Sequence, residues 1–184
     1  MNVAGLFAGV GGFEHGLARA GHDAELLCEI DSSARLVLSD RFPTIRLRKD
    51  VREIGRLPSS VQILAAGFPC QDLSQAGKTA GIRGRQSGLI GEVFRLIEKS
   101  RPRWVILENV SFMLRLKKGA AMKLITEKLE EYGYDWAYRV VDSRSFEVPH
   151  RRKRVFIVAS LDADPSLVLF ADEAGEPKKR GIRG

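Results

Sequence analysis

Asn2-Val3-Ala4-Gly5-Leu6-Phe7-Ala8-Gly9-Val10-Gly11-Gly12 is the stretch on which the reading of the fold turns. An uncharged run with strand character over 2–6 enters a glycine-rich turn, and a helical pattern opens at 12. Glycines in such a turn let the chain reverse tightly and let a ligand approach the backbone, while free N–H groups at a helix start favour polar or anionic groups. Outward from this unit, apolar or β-branched runs at 2–6, 24–29, 61–66, 103–107, 137–142 and 154–160 read as strands. Segments 12–20, 32–41, 89–99 and 120–132 read as helices, the last with an apolar stripe at 121, 124, 125, 129 and 132. Alternation of this kind predicts an α/β fold: a mostly parallel sheet with helices on both faces, Rossmann-like in plan.

The chain has 184 residues, 44% hydrophobic and 29% charged, which suits one globular domain and excludes fibrous or disordered classes. The longest apolar runs, 104–107 and 155–161, are far shorter than the roughly 18–20 residues of a membrane helix. The broken apolar stretch at the N-terminus does not resemble a signal peptide. Two cysteines are too few for a disulfide framework, so reduced thiols and a cytoplasmic location are expected. The formal charge is +7, with basic residues gathered at 144 and 151–154 and again at 178–183. The second group reads as a solvated terminus. Segment 71–87, with three glycines and few apolar residues, reads as a long loop, and periodicity fades after 160.

Candidate site residues collect at predicted strand ends, the edge where open parallel sheets bind ligands. Glu29 ends the second strand, twenty residues after Gly9, where a carboxylate can accept from both hydroxyls of a ribose. A dinucleotide fingerprint would need glycine where Glu14 stands, so an adenosyl-type ligand is favoured over a nicotinamide one. Asp50 follows the third strand; it suits an adenine amino group and equally suits capping the turn at Val51. Cys70, in the turn Gly67-Phe68-Pro69-Cys70-Gln71, is a better nucleophile candidate than Cys28, which reads as a core residue. Glu108, after four apolar residues, would have its pKa raised by burial or would cap a helix. In His150-Arg151-Arg152-Lys153-Arg154, alternation puts Arg152 and Arg154 on one side, a pair suited to anion recognition. His15 and His22 have no companions at ligand spacing, so no metal site is expected.

Four of these motifs, F-A-G-V-G-G at 7–12, G-F-P-C-Q at 67–71, E-N-V at 108–110 and H-R-R-K-R at 150–154, stand in the order found in cytosine-5 DNA methyltransferases, which the chain resembles from 2 to 160. The resemblance implies an S-adenosylmethionine site formed by Phe7, Gly9, Val10, Gly11, Gly12, Glu29, Ile30, Asp50, Val51, Gly67, Pro69 and Leu89, with S-adenosylhomocysteine as product. It implies that Cys70 adds to carbon 6 of cytosine, that Glu108 serves ring nitrogen 3, and that Arg154, supported by Arg152, holds the base and a nearby phosphate. Double-stranded DNA is the implied substrate, with the target base flipped out and the 71–87 loop closing over it.

The chain departs from the family pattern at His150, where glutamine is usual. Family members also continue into a target-recognition domain. On this reading 1–160 is the catalytic and cofactor-binding domain, and 161–184 leads toward an absent recognition region. A second polypeptide supplying that region, a truncated gene product and an excised domain are the arrangements open. A catalytically silent cofactor- or DNA-binding module is the rival reading.

Overall fold

The computed structural model describes residues 1–69, 88–147 and 149–171. Among these, the strands are β1 (Asn2–Leu6), β2 (Asp23–Cys28), β3 (Arg46–Arg48), β4 (Val61–Gly67), β5 (Trp104–Val110), β6 (Asp135–Asp142) and β7 (Lys153–Ser160). They form one sheet in the order β3-β2-β1-β4-β5-β7-β6. Strands β1 to β5 run parallel, and β7 lies antiparallel between β5 and β6. The turn Ser143–Phe146 stands in the short link from β6 to β7. Without a crossover helix, consecutive neighbours in a sheet can pair only antiparallel. Periodicity alone carries no sign of that reversal.

The helices are α1 (Gly12–Arg19), α2 (Ser32–Arg41), α3 (Leu89–Ser100), α4 (Ala120–Glu131) and α5 (Pro165–Leu169). Asp31 caps α2 by accepting from Ala34 N at 2.7 Å. The five-residue α5 was not expected from the fading period; its signal is Asp164-Pro165, a side-chain cap followed by the residue best suited to a first helical position. Its last carbonyl region is tied to β6, where Arg139 Nη1 donates to Leu169 O at 3.4 Å.

Alternation along the strands divides the core. Ala4, Leu6, Leu64, Ala66, Val105 and Leu107 point to one face, under Phe94 and Ile97 of α3 and Ile125 and Leu129 of α4. Val3, Ile63 and Ala65 point to the other, against Phe13 and Leu17 of α1. That second face is thinly covered along β5: Val105 and Leu107 are fully buried, whereas Trp104, Ile106 and Glu108 are only half-buried. Strand β1 has β2 on one side and β4 on the other, so the chain leaves its end and that of β4 toward opposite faces, opening a crevice at the carboxyl edge. Leu64 is wholly buried in the middle of this arrangement. Leu64→Ala is expected to cost about 2–5 kcal/mol in urea unfolding, by lost transfer energy plus the cavity left behind.

Candidate functional site

The glycine turn after β1 is held in an unusual backbone state. Phe7, Gly9 and Gly11 have φ of 56°, 55° and 83°. At Gly11 a side chain is doubly excluded, because an added Cβ would stand 2.6 Å from Phe42 Cε2. The turn closes on itself through Gly11 N donating to Ala8 O, and Ala8 N donates to Cys28 O. Glu29, just beyond β2, then clamps it: Gly9 N donates to Oε2 at 2.7 Å and Asp31 N donates to Oε1 at 2.8 Å. This clamp brings two exposed apolar side chains, Val10 and Ile30, onto neighbouring loops at the rim.

Asp50 is held on both carboxylate oxygens by Arg52, with Nη2 at 2.5 Å and Nε at 2.9 and 3.1 Å, and it accepts from Arg52 N as the cap of the turn at Val51. The Arg52 hydrogen bonds hold its pKa down at about 2. Val51 is buried in the core, and Leu89 is packed against that core at the start of α3. Cys28 is buried and has its thiol pushed up to about 12, first by burial and then by nearby carboxylates, which makes it an inert packing residue.

Gly67 ends β4 beside Glu108 of β5. The next turn is pinned by Asn109, whose Nδ2 donates to Phe68 O at 2.8 Å. Pro69 is exposed, and Cys70 and the loop 71–87 lie outside the described residues. The tail cluster 178–183 does too. Glu108 Oε1 meets Arg154 Nε at 2.7 Å, with both side chains 21% exposed. Burial raises the Glu108 pKa, against the opposing pull of Arg154 and Arg152. Arg154 and Phe156 of β7, with Arg152 just before that strand, line a cleft of about 610 Å³ together with Glu108, Gly67 and the segment Leu6–Ala8. The structure therefore brings the glycine turn and the Glu108–Arg154 pair to one cavity. His150 is exposed; its carbonyl accepts from the Ser143 hydroxyl.

One residue of this cleft stands out in the sequence only as a carboxylate where a dinucleotide fingerprint has glycine. Glu14, in the first turn of α1, is 2% exposed, and its Oε2 has no hydrogen-bond partner. Its carboxyl fills the space over Gly5: a Cβ there would collide with Oε1 and stand 2.9 Å from Cδ. The available signal was a carboxylate three residues from Leu17 on the sheet-facing side of a short amphipathic helix. Burial pushes the Glu14 pKa up to about 7, and Glu29 adds to the rise. An unfolded chain ionises this group near 4.5, so its burial penalty is absent below that pH and complete above about 7. Glu14→Gln should stabilise the ligand-free chain at pH 8, by on the order of 3 kcal/mol, and leave it unchanged at pH 4; urea unfolding at the two pH values measures the difference.

The chain matches the family described as C-5 cytosine-specific DNA methylase over residues 1–179. It is 50% identical over 185 residues to the type II methyltransferase M2.BsuMI of Bacillus subtilis strain 168, covering 98% of this chain and 47% of that protein. It is 38% identical to the type II methyltransferase M.BanI of Aneurinibacillus aneurinilyticus, covering 91% and 40%. The fold is similar to that of the S. pombe Dnmt2 methyltransferase, with a TM-score of 0.70 at 18% identity over 97% of this chain and 58% of that one. The chain thus spans about half the length of the curated relatives it matches. With sequence and fold in agreement, the chain belongs to the C-5 cytosine-specific DNA methylase family.

Proposed function

We propose that this chain is the cofactor-binding and catalytic portion of an enzyme that transfers a methyl group from S-adenosylmethionine to carbon 5 of cytosine in double-stranded DNA, as in restriction–modification. The observation that carries the reading is one cleft with the clamped glycine turn at one end and the half-buried Glu108–Arg154 pair at the other. Membership of the family supports it. The residues fit the cofactor: the turn leaves open space at Gly9, Glu29 keeps lone pairs free beside it, and a buried carboxylate oxygen of Glu14 has no partner. On this reading Glu29 receives the ribose hydroxyls, Asp50 the adenine amino group, and Val10 and Ile30 cover the ring faces. Gly9, Gly11, Gly12 and Phe7 receive the amino-acid end, and Gly67, Pro69, Val51 and Leu89 shape the rest. When bound, the cofactor supplies an electrophilic methyl group.

The protein's own work lies in making cytosine reactive. Carbon 5 is a weak nucleophile until the Cys70 thiolate bonds to carbon 6 and breaks the ring's conjugation. Electron density then builds toward nitrogen 3, where a protonated Glu108 would donate a hydrogen bond. After transfer, a base removes the carbon-5 proton, the bond to carbon 6 breaks and the Cys70 thiolate leaves, which restores the aromatic ring. Arg154 holds Glu108 by ion pairing, and Arg152 stands beside it to meet base or phosphate. DNA reading would reside in the half of the relatives' length beyond this chain, on the same or a second polypeptide.

The test is methyl transfer from labelled S-adenosylmethionine to cytosine-containing DNA, with a recognition-region polypeptide supplied. Cys70→Ser should abolish transfer while cofactor affinity changes by less than about twofold. Full activity in that variant would remove Cys70 from the mechanism, and no transfer by the unaltered chain under any such condition would favour a silent binding module. Activity that needs protonated Glu108 falls as pH rises through its pKa. Arg154→Gln removes a group that lowers this pKa, so the fall should move to higher pH on a reduced maximum, read from the pH profile of transfer.

A further inference from the structure

Two carboxylates line the α1–β7 cleft among the described residues, and they are in opposite situations. Glu108 is paired with Arg154. Glu14 is more deeply buried and its Oε2 has no partner at all. A buried acceptor left unmade is costly, so its retention points to a donor that arrives with a ligand. The slot that seats this carboxyl exists only because Gly5 has no side chain. Directly ahead of Glu14, α1 begins at Gly12, after Gly11, with no side chain capping its opening N–H groups. An anion-seeking helix start and a cation-seeking carboxylate therefore stand within one turn of chain, matching the two charges of an α-amino acid.

We propose that Glu14 is the acceptor for the ammonium of the cofactor's amino-acid end, while the N–H groups at the start of α1 take its carboxylate. This assignment rests on the S-adenosylmethionine reading of the cleft and adds to it the residue that recognises the amino acid. The other charged groups lining the cleft are Glu108 on β5, Arg154 on β7 and Arg152 just before β7, while Glu29 acts on Glu14 from beyond β2; β1 and β4 carry none. Glu29 is held by two backbone N–H groups and stands with its remaining lone pairs at the ribose position, and Glu108 is paired with Arg154, whereas Glu14 Oε2 has no partner.

The experiment is calorimetric titration of the 184-residue chain and of Glu14→Gln with S-adenosylhomocysteine and with its deamino analogue, in which hydrogen replaces the amine. The unaltered chain should bind S-adenosylhomocysteine roughly ten- to a hundredfold more tightly than the variant does. The deamino analogue should bind both proteins alike, which also shows that the variant is folded. Near pH 7, binding of S-adenosylhomocysteine should release protons from the unaltered chain as Glu14 ionises toward the amine, and the variant should release fewer. The assignment is overturned if the variant binds S-adenosylhomocysteine as tightly as the unaltered chain, or if the variant loses affinity for both ligands equally. Failure of the unaltered chain to bind either ligand would overturn the cofactor reading, and this assignment with it.

Discussion

A strand with parallel neighbours on both sides constrains everything built at its end. The connection that leaves β1 runs through α1 on one face of the sheet, while α3, which follows β4 in the chain, packs on the other, and a crevice is left at the strand ends. The backbone polar groups at these strand ends need partners, and side chains of adjoining strand ends supply them. Gly9 N and Asp31 N converge on Glu29, and Asn109 reaches from β5 to the Phe68 carbonyl. These contacts hold the β1 turn to that of β2, and the β4 turn to β5, without filling the crevice. A reactive site can be accurate only to the extent that such supports fix it.

Charge within the crevice is arranged unevenly. At the β5–β7 end, desolvation raises Glu108 while the Arg154 guanidinium resists the rise, so the carboxyl is both placed and kept easy to protonate. At the α1 end, Glu14 has burial without a counter-ion. The first arrangement is settled in the ligand-free chain, and the second is strained by design of its surroundings. Ligand-free stability and ligand affinity are then opposed at Glu14, a common relation between folding and function.

Much of the fold was legible because strand and helix periods alternate cleanly along the chain. The strands at 2–6 and 61–66 and the stripe Ala121, Ile125 and Leu129 lie where their patterns put them. What pattern could not carry was pairing: β7 has the apolar density of a buried strand in either direction, and only the short link from β6 decides its sense. The α5 helix is too short to express a period. In the site, Glu29 and Glu108 were visible because carboxylates at strand ends are out of place unless used. Asn109 and Glu14 were not, since a polar residue's partner across 41 residues, or its lack of any, is a property of the folded chain. Cys70 was legible from its turn and lies outside the described residues.

The interlocking of Gly5 and Glu14 also restricts how this sequence can change. The two positions occupy one volume, nine residues apart in sequence and face to face across α1 and β1. Any side chain at position 5 must first wait for a shorter residue at position 14, whereas position 14 can shorten freely while position 5 is glycine. Substitution here has a preferred order, and the reverse order passes through a clashing intermediate. Among diverging descendants of this chain the two sites should therefore vary together, with the helix changing before the strand.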